Sequence, residues 1–266
     1  MRLTILGCGS STGVPVIGGD WGNCDPTNPK NRRRRASILF QHEETTLLVD
    51  TPPDLHDQLV DAEVRDVTAI LYTHAHADHL HGIDEVRGLN LLVDRWIDCY
   101  ADAPTMEMIE ARFAYVFRPI DGNYFYKPCL TPHLIEGPFQ VGTVKVTPFM
   151  QDHGYAISRS GHFGSLGFRF DMPDGTSAAY STDVVNLSEE ALDLVAGVDV
   201  WVVDCLRFEP HPTHSHFERT MEWVARVKPG RAILHHMNHQ ADYAVLLAAC
   251  PPGVEPGYDG MVVELS

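Results

Sequence analysis

The chain alternates short apolar runs, which are typical of β-strands, with segments whose apolar residues recur at helical spacing. Strands are predicted at Leu3–Leu6, Ser37–Phe40, Thr46–Val49, Val67–Tyr72, Val141–Phe149, Ser165–Phe170, Ser177–Ser181, Val198–Val203, Ala232–Leu234 and Met261–Leu265. Helices are predicted at Pro53–Ala62, Pro104–Val116, Ser188–Ala196, His216–Val227 and Tyr243–Cys250, with an irregular insertion at Phe117–Pro132. The order of strands, helix and strand occurs twice, which favours two mixed sheets packed face to face with helices outside. No low-complexity linker divides the chain, so we expect a single α/β domain over residues 1–266.

The composition is that of an ordinary globular protein and restricts the partners that we expect. Apolar residues make up 44% of the chain and charged residues 21%. No apolar run approaches the roughly 20 residues that span a bilayer, so we expect no membrane partner. The 36 acidic residues against 20 basic ones leave a net charge of −16, which disfavours binding to nucleic-acid phosphates.

The N-terminal residues and the cysteines favour a cytoplasmic location. The first residues lack the long apolar core and small-residue cleavage site of a signal peptide. The six cysteines contain no C-x-x-C pair, a distribution that fits reduced thiols better than a disulfide framework.

A dense group of metal-binding residue types follows the predicted strand at Val67–Tyr72. Alternate side chains of an extended segment share a face, so His74 and His76 can converge on one point. A turn after them would aim Asp78 and His79 at a second point nearby. Imidazoles and carboxylates are ligands of borderline divalent metals, and a solvated polar loop explains this spacing poorly. The segment therefore predicts a metal site.

Three later residues are candidates to complete this site. His153, Asp183 and His236 each follow a predicted strand or end it. Sites tend to form where loops leave the ends of strands on a rigid scaffold. Any one of these residues alone would more often be structural, but the preceding cluster makes a shared metal site the favoured interpretation.

The order of these seven residues resembles the signature of the metallo-β-lactamase superfamily. The flanking sequences resemble one branch of it, the phosphodiesterases of the carbon–phosphorus lyase pathway, which hydrolyse phosphoribosyl cyclic phosphate. The resemblance spans essentially the whole chain, and its flanking motifs are Gly7–Pro15, Val203–Cys205, Thr213–His214, Leu234–His236 and Tyr258–Met261. It implies an αββα sandwich with the site at the edge between the two sheets.

The resemblance also implies how two divalent ions, zinc or manganese, are held. One ion would be bound by His74, His76 and His153, the other by Asp78, His79 and His236, with Asp183 bridging both. Two such ions would lower the pKa of a shared water and present hydroxide at neutral pH.

Further roles follow from position in the motifs. His214 matches the family's general acid or phosphate clamp, and His216 could share that role. We take His214 and Asp78 as the catalytic residues, and Asp78 would act through the metal ion that it binds. Asp50 and Asp204 lie at the ends of buried strands, and we expect them to orient ligand histidines from behind.

Two further features, a possible structural zinc site and a run of four arginines, indicate a function less clearly. The branch carries a structural zinc on three cysteines and a late histidine, whereas this chain offers only Cys24 and His239. We therefore expect no ordinary structural zinc, and leave a site on those two residues as the alternative. Four consecutive arginines, Arg32–Arg35, are either neighbours of a phosphate-bearing substrate or structural ion pairs, and the second interpretation is favoured.

The sequence thus favours a dinuclear metal-dependent phosphodiesterase acting on a small nucleotide-like or cyclic phosphate. A tRNA 3′-processing endonuclease is the nearest alternative, but the chain offers no basic arm to grip tRNA. A lactonase or β-lactamase of the same fold and a non-catalytic metal- or nucleotide-binding protein are further alternatives. A homodimer is expected only from the commonness of two-fold assemblies.

Overall fold

Two seven-stranded sheets form the centre of the molecule in a computed structural model that describes residues 1–120, 122, 124–154 and 164–265. The strands are β1 Arg2–Gly7, β2 Ser37–His42, β3 Thr45–Val49, β4 Ala69–Leu71, β5 Ile97–Ala101, β6 Leu130–Leu134, β7 Phe139–Val141, β8 Val144–Asp152, β9 Gly164–Asp171, β10 Ser177–Ser181, β11 Val200–Asp204, β12 Arg231–His235, β13 Val254–Pro256 and β14 Val262–Glu264. The first sheet has the order β14-β1-β2-β3-β4-β5-β6 and the second β13-β12-β11-β10-β9-β8-β7. Strands β3 to β6 are parallel, as are β10 to β13, so their carboxyl ends gather at one edge of each sheet.

Helices cover the sheets. They are α1 Leu55–Asp61, α2 Ala77–Leu80, α3 Val86–Val93, α4 Ala103–Phe113, α5 Glu189–Leu194, α6 Phe217–Val227 and α7 Tyr243–Ala249, with 3₁₀ turns at Pro29–Asn31, Ile83–Glu85 and Ala114–Phe117. Several begin at a capping side chain: Ser188 accepts from the Ala191 N–H, and Asp102 accepts from the Thr105 N–H. Among the described residues, no helix is long and apolar enough to cross a membrane.

Alternation along the strands sorts side chains between two apolar layers. Ile38 and Phe40 point into the core between the sheets, whereas Leu39 packs with the helices outside the first sheet. Phe40 stacks on Phe170 of the second sheet with ring centroids 4.5 Å apart. This layering confirms the expected αββα sandwich.

The structure corrects two predicted boundaries. The apolar run Val141–Phe149 is not one strand, because the chain turns at Gly142, which has a φ of 53° and no room for a Cβ beside Thr45. The predicted irregular insertion, of which positions 121 and 123 lie outside the described residues, contains the start of strand β6. Proline is tolerated in β6 because β6 is an edge strand, where a missing N–H breaks no ladder.

Candidate metal centre

The candidate site lies where several strands end. His74, His153 and Asp183 follow β4, β8 and β10 within a few residues, and His236 directly follows β12. Asp183 and His236 have φ values of 54° and 57°, and Asp50, directly after β3, has 65°. These residues are not glycines, yet they adopt the left-handed region and turn the chain sharply at the strand ends. Strained backbone of this kind tends to occur at functional sites.

The short helix α2 places the other members of the histidine-rich segment. The chain is extended at His76, which is the N-cap residue of α2. Asp78 and His79 therefore lie in the first turn of the helix, with His79 fully buried and Asp78 partly so. The sequence predicted this arrangement, in which an extended segment aims His74 and His76 at one point and a following turn aims Asp78 and His79 at a second point nearby.

All seven predicted ligands come together in two groups that share one carboxylate. Within each group the donor atoms lie within 4.8 Å of one another; the groups are His74, His76, His153 and Asp183, and Asp78, His79, Asp183 and His236. The two oxygens of Asp183 divide between them. Oδ2 lies 3.7 Å from His74 Nε2 and 3.5 Å from His153 Nε2. Oδ1 lies 3.0 Å from His79 Nε2 and 3.2 Å from His236 Nε2.

Hydrogen bonds behind the histidines fix which nitrogen carries the proton. His79 Nδ1 donates to Asp50 Oδ2 at 2.7 Å, and His153 Nδ1 donates to the Thr213 carbonyl at 2.8 Å. In the neutral form of each ring, the lone pair of Nε2 therefore faces Asp183. Such outer partners are typical of metal-binding histidines, because they fix the tautomer and orient the ring.

Several atoms that face inward have no partner of their own. The Nε2 atoms of His74, His79 and His236 are buried without a hydrogen bond among the described residues. Buried polar atoms are nearly always satisfied, so three unsatisfied imidazole nitrogens around one carboxylate need an explanation. A divalent cation would satisfy them, because neutral imidazole and carboxylate are its preferred donors. The donor set fits metal ions.

The electrostatics of the two groups also fit a cation. Burial opposes the charge on Asp183, yet His236 and His79 hold the pKa of that carboxyl well below its usual range. Burial and the neighbouring His79 hold the pKa of His74 well below its usual value. The group around His74 therefore presents an ionised carboxylate beside a neutral imidazole, which are the protonation states that metal binding requires. In the other group, burial opposes the charge on His79, but the neighbouring carboxylates raise the pKa of that ring well above its usual value, so a cation would take the place of its proton.

His214 lies directly beside both groups. Its ring centroid is 4.9 Å from that of His153 and 4.7 Å from that of His236, and its Nδ1 lies 3.0 Å from Asp204 Oδ2. Burial lowers the pKa of His214, but the Asp204 carboxylate outweighs this effect and raises it to about 9. His216 is the N-cap residue of α6 without a side-chain capping bond. The structure thus favours His214 over His216 as a proton donor.

The two buried carboxylates predicted to support ligand histidines differ in what they contact. Asp50 is bonded to the candidate ligand His79, as expected, and also accepts from the Thr73 hydroxyl at 2.8 Å. The hydrogen bonds of Asp204 go to His214 and, at 3.0 Å, to the Val184 N–H. Asp204 therefore orients the candidate acid and fixes the loop after Asp183.

Two residues with a part in this arrangement were not singled out by the sequence. Thr73 links Asp50 to His74, since its hydroxyl lies 3.0 Å from His74 Nδ1. His211 lies beside His214 with ring centroids 5.3 Å apart. The available signal for His211 was a second histidine, three residues before His214, in a proline-rich loop.

An arginine lies beside Cys24, one of the two residues that the resemblance left as candidates for a structural zinc. The guanidinium of the buried Arg33 lies 3.8 Å from Cys24 Sγ and donates to the carbonyls of Asn238 and Ala241 at 3.0 and 2.7 Å. Among the described residues, the groups of donors close enough to hold a metal include neither Cys24 nor His239.

The neighbouring arginines form ion pairs. Arg35 lies 3.0 Å from Asp54, and Arg34 lies 2.8 Å from Asp61 and 3.3 Å from Asp259. These contacts agree with the favoured interpretation of the arginine run.

We expect Asp50→Asn to weaken metal binding by about 10–100-fold, because the amide replaces the anionic acceptor of the His79 ring proton. Zinc affinity measured by competition with a chelating dye tests this. Asp98→Asn is the matched control. Asp98 lies away from the site and forms an exposed pair with His133, whose Nε2 is 3.0 Å from the Asp98 carboxylate. Equal zinc affinity in wild type and Asp50→Asn would contradict the role.

Comparisons with known proteins agree with this geometry. The family model described as "Beta-lactamase superfamily domain" matches residues 45–237. A solved diphosphatase of the PhnP family is 29% identical and superposes with a TM-score of 0.87 over 100% of this chain and 98% of its own. Zn²⁺-bound PqqB from Methylobacterium extorquens is 18% identical with a TM-score of 0.77, each chain covered fully. Human tRNase Z, short form, is 16% identical with a TM-score of 0.71, again over both full chains. The last two show the fold alone.

One curated relative is a longer protein. The chain is 29% identical to an octanoyltransferase of Porphyromonas gingivalis over 98% of this chain but 51% of that protein. The chain thus spans about half the length of this relative. The family match covers most of the chain and includes all seven converging residues. The chain therefore belongs to the β-lactamase superfamily and is a metal-dependent hydrolase of that fold.

Proposed function

We propose that this hydrolase is dinuclear and cleaves a phosphorus–oxygen bond at a phosphorus two of whose four oxygens are bridging, as in a small cyclic or nucleotide-like diester. The observation that carries the proposal is the division of Asp183 between two groups of donors, with His214 beside both. The similarity to a PhnP-family diphosphatase supports it and extends the substrate class to diphosphate diesters, whose phosphorus atoms have the same substitution.

The residues divide the work of such a hydrolysis. His74, His76 and His153 would hold one cation and Asp78, His79 and His236 the other, with Asp183 shared. When bound, two divalent cations supply a water of lowered pKa and neutralise the phosphoryl oxygens. His214, held at Nδ1 by Asp204, keeps its Nε2 proton for the oxygen that leaves.

The charge of the chain supports a small substrate over tRNA. A net charge of −16 repels a polyanion, and a nuclease needs lysines and arginines to neutralise phosphates. The arginine run offers little free cationic surface, because Arg34 and Arg35 are paired with aspartates and Arg33 is buried, which leaves Arg32 exposed. We do not extend the acyl transfer of the longer relative to this chain, because half of that protein lies outside the match.

The test is turnover by protein loaded with manganese or zinc. Bis(p-nitrophenyl) phosphate should be cleaved roughly 10²-fold faster than p-nitrophenyl phosphate or a chromogenic cephalosporin, because the site is matched to one phosphorus geometry. Chelator-treated protein is the control, and metal restores the rate. Cephalosporin turnover without diester cleavage, or efficient cleavage of precursor tRNA alone, would refute the proposal.

A further inference from the structure

The loop that carries the candidate acid His214 contains a second histidine, His211, to which the proposed mechanism assigns no role. His211 lies on the loop of residues 207–214, and its ring is half-buried with its centroid 5.3 Å from that of His214. On its other sides, His214 packs against His153 and His236. His211 is therefore one ring removed from the candidate metal ligands and directly beside the candidate acid.

The 207–214 loop is fixed to the site. The Arg207 guanidinium donates to the carbonyls of Glu209 and Pro210 at 3.2 and 3.1 Å. The Thr213 carbonyl accepts from the candidate ligand His153. Gly154 packs so closely on Pro212 that a Cβ at Gly154 would lie 2.4 Å from the Pro212 carbonyl oxygen. His211 is thus held at a set position relative to the metal centre rather than on a free surface loop.

Local hydrogen bonds also decide the tautomer of His211. Its Nδ1 accepts from the Thr213 N–H at 3.4 Å and lies 3.2 Å from the Thr213 hydroxyl. A ring nitrogen that accepts from an N–H carries no proton, so in the neutral ring the proton is on Nε2. Burial and the nearby His214 lower the pKa of His211, which favours this neutral form. Nε2 has no hydrogen-bond partner among the described residues, so it presents an unused N–H donor.

We propose that His211 is a substrate-binding residue that selects diphosphate diesters, its Nε2–H donating to an oxygen of the phosphate that leaves. The proposal rests on the proposed function and deepens it by assigning the residue that selects one of its substrate classes. In the reaction, the oxygen of water bonds to one phosphorus and the bridging P–O bond breaks. Its electron pair goes to the second phosphate, and the protons of water pass to the products or the solvent. A leaving group without a phosphate offers His211 no such oxygen.

The experiment compares two substrates of the metal-loaded protein. ADP-ribose leaves a phosphate, whereas p-nitrophenyl thymidine 5′-phosphate leaves a phenol. His211→Asn places an amide oxygen near the position of Nδ1, so it keeps an acceptor for the Thr213 N–H and removes only the outer donor. We expect kcat/KM on ADP-ribose to fall about 10–100-fold, since a lost bond to a charged group costs that much. The rate on the thymidine ester should stay within about twofold.

Controls separate this role from damage to the loop. His56→Asn is the matched control, because His56 is an exposed histidine paired with Asp57. His211→Ser, which also retains an acceptor for the Thr213 N–H, serves as a second variant if the asparagine variant loses metal or melts early. Equal loss on both substrates, or no loss on either, would overturn the proposal.

A binding measurement keeps the proposal separate from the proposed function. By calorimetry, metal-loaded wild type should bind α,β-methylene-ADP more tightly than AMP, and His211→Asn should lose that preference. A wild type that hydrolyses neither substrate would refute the proposed function, while the calorimetric preference still decides the role of His211. An unchanged preference in His211→Asn would overturn that role.

Discussion

Replacing Asp183 with asparagine is expected to reduce bound metal from two equivalents to at most one and to lower diester hydrolysis by roughly 10³-fold or more. Asp183 is buried, and its two oxygens face different groups of imidazoles at 3.0–3.7 Å. An amide carries no negative charge and turns one of those oxygens into an N–H₂ donor. The nitrogen lone pairs opposite that N–H₂ group can accept a hydrogen bond from it or bind a cation, but they cannot do both at once.

Elemental analysis of purified, metal-reconstituted protein measures the stoichiometry, and bis(p-nitrophenyl) phosphate measures the rate. Asp174→Asn is the control, since Asp174 is an exposed turn residue that accepts from Thr176 and lies near His42. Two full equivalents of metal in Asp183→Asn would show that the carboxylate is not shared, and the dinuclear proposal would have to be abandoned.

The sheets could be predicted because burial on both faces leaves a strong pattern. The apolar run Val67–Tyr72 contains β4, which is shorter by two residues at the start and one at the end and is paired on both sides. Ser177–Ser181 matches β10 residue for residue. The helix starting near Ser188 carried its own capping signal. Local chemistry and periodicity were enough in these places.

Other elements could not be predicted because their signals depend on tertiary position. Strand β6 contains Pro132, which argues against a strand until its place at the sheet edge is known. Strand β5 alternates buried and half-buried residues over only five positions, too short a run to be decisive.

The candidate site divides in the same way. The spacing of His74, His76 and Asp78 indicated a metal site because extended chain and a helical turn aim them locally. Position after predicted strands made His153, Asp183 and His236 candidates for the same site. Their division between two metals came only from the resemblance, since residues so far apart in sequence meet through the sheet order. No sequence pattern indicated that Arg33 would take the place beside Cys24, because its partners are backbone carbonyls from a distant segment.

Removing the imidazole of His214 is expected to leave both metals bound and to slow diester hydrolysis by roughly 10²–10⁴-fold, the usual contribution of a general acid. His214 contacts the candidate ligands His153 and His236 only through ring packing, and its own hydrogen bond goes to Asp204. Its loss therefore removes a proton donor and none of the seven predicted metal ligands. His133→Ala is the matched control, because His133 forms an exposed pair with Asp98.

The pH dependence distinguishes a proton donor from a structural role. Asp204 raises the pKa of His214 to about 9, so the acid is protonated at neutral pH and is lost as the pH rises through that pKa. Wild-type kcat should therefore fall on the alkaline side. Asp204→Asn removes the carboxylate, which lowers the pKa of His214 and should move this limb to lower pH; His214→Ala should lack it. The acid role fails if the alkaline limb stays in place in both variants, because the group that titrates there would then be a different one, such as a water.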